Sequence, residues 1–165
     1  MMAESRLIAE WVALVYPGRN WHRHFRVGGY PDAVGLKDMD EGDLKVLRNR
    51  NRWVDMVLEP PPDLVVIEAK MWDASNAIGK LKEYLKEVVF TPEYIQWGRP
   101  PITPIVLTGQ HDPLAQLVIE EAGLRYVFWE PPWIADFYAF YPERRRHVAP
   151  SSVMEAIRRS EEPAT

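Results

Sequence analysis

The sequence predicts an α/β fold: a mixed central sheet flanked by helices, in the order helix, three strands, helix, strand, with a further helix and strand added toward the C-terminus. Three observations lead there. Residues 3–16 repeat apolar side chains at helical spacing, residues 52–58 and 64–70 are apolar strands split by Glu59-Pro60-Pro61-Pro62-Asp63, and residues 103–129 alternate strand, helix and strand. A short proline turn can only join antiparallel neighbours, whereas a strand–helix–strand alternation makes parallel ones. The sheet is therefore expected to be mixed.

Each element has its own signal. In 3–16, Leu7, Ile8, Trp11, Val12, Leu14 and Val15 form one apolar side, and Pro17-Gly18 ends the helix. WHRHFRV at 21–27 is aromatic and branched and runs into Gly28-Gly29, as a strand does. Residues 30–48 carry no clear period and read either as a helical turn within DEGDLKVLRNR or as a long functional loop. LVVIEAK at 64–70 is apolar on both faces until Glu68, the pattern of a central strand covered on both sides. Residues 74–90 place Ala74, Ala77, Ile78, Leu81, Tyr84, Leu85 and Val88 on one broad helical face, with Lys82 and Lys86 turned away. A proline-rich link over 92–104 leads to a strand at 103–108, a helix at 112–122 and a strand at 124–129; WIADFYAFY then suits a short helix. Residues 1–141 are expected to form a single domain and 142–165 a polar tail, with a short helix or none, that includes the basic run Arg144-Arg145-Arg146-His147.

Composition narrows the function classes. At 165 residues, 47% of them hydrophobic, the chain can bury a core and is too apolar for disorder. No apolar run is long enough to cross a bilayer and the N-terminus does not read as a signal peptide, so a cytoplasmic location, host cytoplasm for a phage-encoded protein, and no membrane partner are expected. The absence of cysteine removes disulfides, thiolate zinc sites and cysteine nucleophiles. A net charge of −4 argues against coating nucleic acid with a generally basic surface, but leaves room for a local basic groove. No phosphate-binding glycine loop, nucleophile elbow or zinc motif is present.

The chemistry-bearing constellation follows from register. A turn centred between Pro61 and Pro62 places position 55 opposite position 68, so Asp55 and Glu68 become cross-strand neighbours about 5 Å apart at Cβ. Lys70, two residues beyond Glu68, shares its face. Two adjacent carboxylates in a partly buried sheet raise one another's pKa unless a cation or proton lies between them. Oxygen donors without thiolate or a histidine pair suit Mg²⁺, or Mn²⁺, better than zinc. The neighbouring ammonium can orient a water or accept its proton. A literal Pro-Asp also occurs at Pro62-Asp63, but Asp63 is five residues from Glu68, some 16 Å along a strand, and reads as a turn residue.

Asp55, Glu68, Ala69 and Lys70, together with the order helix, three strands, helix, strand, resemble the PD-(D/E)xK nuclease superfamily across roughly the first two-thirds of the chain. The resemblance implies a restriction-endonuclease-like αβββαβ core. It implies metal-dependent hydrolysis of DNA phosphodiester bonds, of phage, mobile-element or DNA-repair type, with DNA as partner and a homodimer or an assembly partner left open. Asp55, Glu68 and Lys70 become the catalytic residues, and Asp55, Glu68 and the Ala69 carbonyl the Mg²⁺ ligands. Many relatives add a glutamate from the first helix: Glu4 lies in the middle of the Leu7, Ile8 and Trp11 face and Glu10 to its side, so Glu4 either joins the metal set or complements the helix dipole. Exonuclease-type members carry Gln and Tyr four apart on the following helix; here Lys80 and Tyr84 hold that spacing, and Lys80 either contacts substrate phosphate or pairs with a helix glutamate. His22 and His24 alternate along one strand and read as surface or packing residues before metal ligands. The competing expectation is a non-catalytic interaction or assembly module, such as a phage structural component, retaining the nuclease-like fold.

Overall fold

The structure is a computed structural model and describes residues 3–28 and 52–141; the expectations for 30–48, for the 142–165 tail and for Arg144, Arg145 and Arg146 lie outside the described residues. The elements are α1 (Ala3–Val15), β1 (Trp21–Val27), β2 (Arg52–Leu58), β3 (Leu64–Lys70), α2 (Ala77–Val88), α3 (Pro92–Gln96), β4 (Ile102–Thr108), α4 (Pro113–Glu121), β5 (Arg125–Phe128) and α5 (Ile134–Phe140). The strands form one five-stranded sheet in sequence order. β2 runs antiparallel to both of its neighbours, β1 and β3, whereas β3, β4 and β5 run parallel to one another. This mixed α/β sheet keeps the expected order αβββαβ followed by α and β, with the short α3 inserted before β4 and α5 added after β5, and is consistent with the restriction-endonuclease-like architecture expected above.

Two apolar layers sandwich the sheet. On one face Leu7, Ile8, Trp11 and Val12 of α1 meet Met56, Leu58, Val65, Ile67, Ala69, Ile105 and Leu107, joined by Ile134 and Tyr138 from α5. On the other face Ala77, Leu81, Tyr84 and Val88 of α2 meet Val57, Leu64, Val66 and Val106, joined by Ala115 and Ile119 of α4. β3 alternates between both layers, which is why its sequence is apolar throughout: six of its seven residues are buried. Burial of its Val, Ile and Leu side chains stabilises the fold by roughly 1.5–3 kcal/mol each.

Local sequence accounts for the boundaries. Asp112 caps α4 by accepting the Ala115 N–H at 3.0 Å, and Pro113 supplies the first helical position, where its missing N–H costs nothing. The helix expected over 74–90 is divided: Ala74–Asn76 is a 3₁₀ turn entered from Asp73 in the left-handed region, and α2 begins only at Ala77. The proline-rich link contains a short helix that its composition concealed, α3, which starts at Pro92. The preceding Thr91 is buried and accepts the Gly28 N–H at 2.9 Å, tying the end of β1 to the α2–α3 junction. Gly28 has φ +105°, a backbone conformation that favours glycine, and a Cβ there would lie 3.2 Å from Glu87 Oε2 at the end of an exposed side chain.

The register of the β2–β3 hairpin is Met56–Ile67, Val57–Val66 and Leu58–Val65, the register counted from the proline turn. At the turn itself Asp63 accepts from Arg19 through its carboxylate, at 3.2 Å, and through its carbonyl, which fits a turn residue remote from the other end of β3. Replacing Ile67 by alanine is expected to lower unfolding free energy by about 2–5 kcal/mol, whereas Val118→Ala, at a position 47% exposed, should change it by less than about 0.5 kcal/mol, both read by urea denaturation.

Candidate active site

β2 and β1 both deviate from regular pleating where the site forms. Their ladder pairs 21–23 with 56–58 and 25–27 with 52–54, and the position between them brings His24, at φ 48°, opposite Asp55. Strict alternation would separate Val54 and Val57 to opposite faces, yet both lie in the α2-side core, so β2 rotates between them, at Asp55. The rotation leaves the Asp55 carboxylate at the margin of the ladder. Its Oδ2 accepts the Ala69 N–H at 3.0 Å, taking a main-chain donor that a neighbouring strand would otherwise satisfy.

Across from it, Glu68 is 1% exposed, the deepest charged side chain among the described residues. Its Oε1 accepts from Lys70 Nζ at 2.8 Å and from Lys80 Nζ at 3.2 Å. Its Oε2 is buried and has no hydrogen-bond partner among the described residues. Lys70 is held close, with its side chain 16% exposed, and Lys80 reaches in from α2 with its side chain 57% exposed. The alternative expectation for Lys80, an ion pair with a glutamate of its own helix, is thus replaced by a contact to the strand carboxylate. α2 can deliver it because Leu81 and Tyr84 anchor the adjoining face in the core.

The electrostatics follow from this packing. Burial first and the Glu68 charge second push the Asp55 carboxyl up, the Ala69 N–H and Lys70 oppose them, and the balance lies at about 6, above the ordinary 3.8. For Lys80, burial works against the charged form, but the Glu68 charge and hydrogen bond outweigh it, with Asp55 and Glu4 adding to the rise. Tyr84, the residue four beyond Lys80, has its phenol pushed up to about 12 by burial first and then by Glu68 and Asp55. Glu4 also raises Asp55, so α1 turns this carboxylate's field toward the site. Glu10 is engaged elsewhere, accepting from Arg6 at 2.7 Å and from Trp133 Nε1 at 2.8 Å. His22 bonds Glu59 at 2.6 Å, beyond the opposite end of β2.

Among the described residues no three His, Asp or Glu side chains gather closely enough to cage a metal by themselves. The oxygen donors at hand are the Asp55 and Glu68 carboxylates and the backbone of Ala69. A buried carboxylate oxygen without a donor, beside a second carboxyl that burial drives toward protonation, fits a hard divalent cation. Sequence reasoning gathered these residues but missed an aromatic cavity next to them, lined in part by Met71 and Trp72 immediately after the triplet and by Trp133 and Phe137. Its signal was present in the dense aromatic spacing of WIADFYAF, which reads as core when the helix is considered alone.

Because the folded-state carboxyl of Asp55 lies above its unfolded value, it contributes stability that is complete below about pH 4 and is lost as the pH rises through about 6. In EDTA, Asp55→Asn should therefore match the wild type near pH 4 and exceed its unfolding free energy at pH 8 by on the order of 2 kcal/mol, measured by urea titration across that range.

No protein-family model and no curated protein matches the sequence. Among solved structures, the chain is similar to a repair endonuclease from Pyrococcus abyssi, at 16% identity and a TM-score of 0.47, over 77% of this chain and 47% of that one. It is similar to EndoMS in a complex with double-stranded DNA, at 17% identity and a TM-score of 0.46, over 78% and 45% of the two chains. It is also similar to EndoMS in its apo form, at 17% identity and a TM-score of 0.44, over 80% and 48%. The chain thus spans about half the length of the structures it matches.

Proposed function

We propose that this chain is a metal-dependent deoxyribonuclease that hydrolyses phosphodiester bonds at Asp55, Glu68 and Lys70. The observation that carries the reading is the buried, half-satisfied Glu68 carboxylate facing Asp55, with two lysine ammonium groups converging on its other oxygen. Burying such charges without function costs stability that apolar residues of similar volume would not. A nucleic-acid phosphate is the substrate class that calls for a hard cation and lysines together, and the resemblance to PD-(D/E)xK nucleases supports DNA.

Asp55, Glu68 and the Ala69 carbonyl would hold Mg²⁺ or Mn²⁺, with Glu4 as a further carboxylate on the α1 side. When bound, the cation supplies Lewis-acid polarisation of the phosphoryl oxygen and charge neutralisation in the transition state. Glu68 fixes Lys70, so that the ammonium is positioned to orient the attacking water and to balance negative charge as it accumulates. Water adds its oxygen to phosphorus, one P–O bond breaks, and the departing oxygen takes a proton. Lys80, more exposed than Lys70, carries three donors, of which the Glu68 bond uses one, and is the ammonium available to meet a flanking phosphate. Asp55 also organises β3 directly, because its bond to the Ala69 N–H sets the local backbone of the triplet.

Purified protein incubated with plasmid, linear and branched DNA should cleave in Mg²⁺ or Mn²⁺ and not in EDTA. Asp55→Ala and Lys70→Ala should each lower the rate by at least about a hundredfold. Lys80→Ala is expected to raise KM more than it lowers kcat. Cleavage that ignores EDTA or these substitutions would sink the mechanism. Absence of cleavage on every DNA, together with no divalent-ion binding by calorimetry, would favour the non-catalytic assembly module.

Metal binding has its own signature. Mn²⁺ should raise the unfolding midpoint more at pH 7.5 than at pH 5, because protons compete for Asp55 as the pH falls through about 6. Asp55→Asn should flatten that difference in a calorimetric or fluorescence melt.

A further inference from the structure

A cavity of about 650 Å³ lies beside the candidate site, between the start of α1, the end of β3 and α5. Its walls are chiefly aromatic: Trp72, Trp133, Phe137, Phe140 and Tyr141. The rings are mutually arranged. Trp72 and Phe137 lie parallel within 7° at a centroid distance of 6.5 Å, and Phe137 and Tyr141 are 5.1 Å apart. Trp133 is fixed by its Nε1 bond to Glu10 and by the Arg6 guanidinium 4.5 Å from its ring centre. Phe140 is nonetheless 76% exposed and Trp72 36%, an open aromatic surface of a kind that marks a binding site.

Two features join this cavity to the catalytic constellation. Trp72 follows Lys70 by two residues, and Tyr138 OH donates to the Met71 carbonyl, which clamps α5 against the end of β3. Glu4 lines the cavity and is also the α1 carboxylate whose field reaches Asp55 and Lys80. The polar lining consists of Glu4, Asp136 and Arg6, and Arg6 is already paired with Glu10. With two carboxylates and a committed arginine, the cavity repels a phosphate backbone. It suits a flat, uncharged aromatic group whose amino hydrogens can meet carboxylate oxygens, which describes a nucleobase.

We infer that this aromatic cavity receives an unpaired base of the DNA strand being cut, so that the preferred substrate carries unpaired nucleotides next to the scissile phosphate. The inference rests on the nuclease reading above and adds its substrate class. A base inside an uninterrupted duplex has its faces stacked and cannot enter. A base in a single strand, gap or flap enters with less unstacking to overcome.

The test measures binding in EDTA by fluorescence anisotropy, using a labelled single strand, a duplex with a single-stranded flap, a blunt duplex, and the same single strand with abasic spacers. The single strand and the flap should bind at least about tenfold tighter than the blunt duplex and the abasic strand, the effect of stacking one base on an aromatic side chain. Trp72→Ala should bring those affinity ratios close to one, and Phe140→Ala, at the most exposed ring, should lower them several-fold with the circular dichroism spectrum unchanged. Equal binding of all four probes, no binding to any, or full affinity for the abasic strand would overturn the inference, and the wild-type comparison needs no variant to fold. So would self-association detected by sedimentation and abolished by Phe140→Ala, which would make the cavity a contact between copies. Cleavage in Mg²⁺ keeps the two readings apart: base-dependent binding without cleavage removes the nuclease, whereas metal-dependent cutting that is indifferent to unpaired bases removes only this inference.

Discussion

The burial of one carboxylate, Glu68, near the end of the central strand is the constraint around which the rest is arranged. β3 is covered by α1 on one face and α2 on the other, so a charge placed there meets almost no water. An unpaired buried charge would cost several kcal/mol. Lys70 supplies a partner from the same strand and Lys80 a second from α2, leaving Oε2 with no donor among the described residues. The raised carboxyl of Asp55, the raised ammonium of Lys80 and the raised phenol of Tyr84 all register that same charge.

How much of this was legible in the sequence depended on the range of the interaction. Strand limits at 21–27, 52–58 and 64–70 match the observed elements, because branched apolar runs stopped by Gly and Pro leave few alternatives. The hairpin register was countable because five residues rich in proline permit little slippage between Leu58 and Leu64. Where a signal was local but weak it was lost: the Thr91-Pro92 start of α3 was absorbed into a proline-rich link, and the 3₁₀ turn at Ala74–Asn76 into a longer helix. Contacts between distant elements were not readable at all. Nothing in the spacing of α2 indicates that Lys80 bonds Glu68 twelve residues earlier, or that Glu10 is held by Trp133 more than a hundred residues later.

The two glutamates of α1 show how a helix distributes identical groups. Glu10 is bonded by Arg6 on its own helix and by the Trp133 indole, so it serves the junction between α1 and α5. Glu4, nearly two turns earlier, projects its field toward Asp55 and Lys80 while bordering the aromatic cavity. One helix therefore braces α5 with one carboxylate and adds negative potential to the candidate site with the other. The cavity exists because these contacts, with the Tyr138–Met71 bond, hold α5 at the strand end.

The pairing of Val27 with Arg52 has a consequence for how the candidate site is held. Both residues sit at the end of the sheet where Asp55 meets the triplet, so β1 ends and β2 begins at the rim of the candidate site. Lengthening a connection whose ends are already fixed side by side costs only logarithmically in closure entropy, about 0.6 kcal/mol per doubling. β1 and β2 are thereby held at a fixed separation by their own ladder, whatever the length of chain between them. The strand that carries Asp55 is thus positioned by its pairing with β1 and β3 rather than by the connection that leads into it.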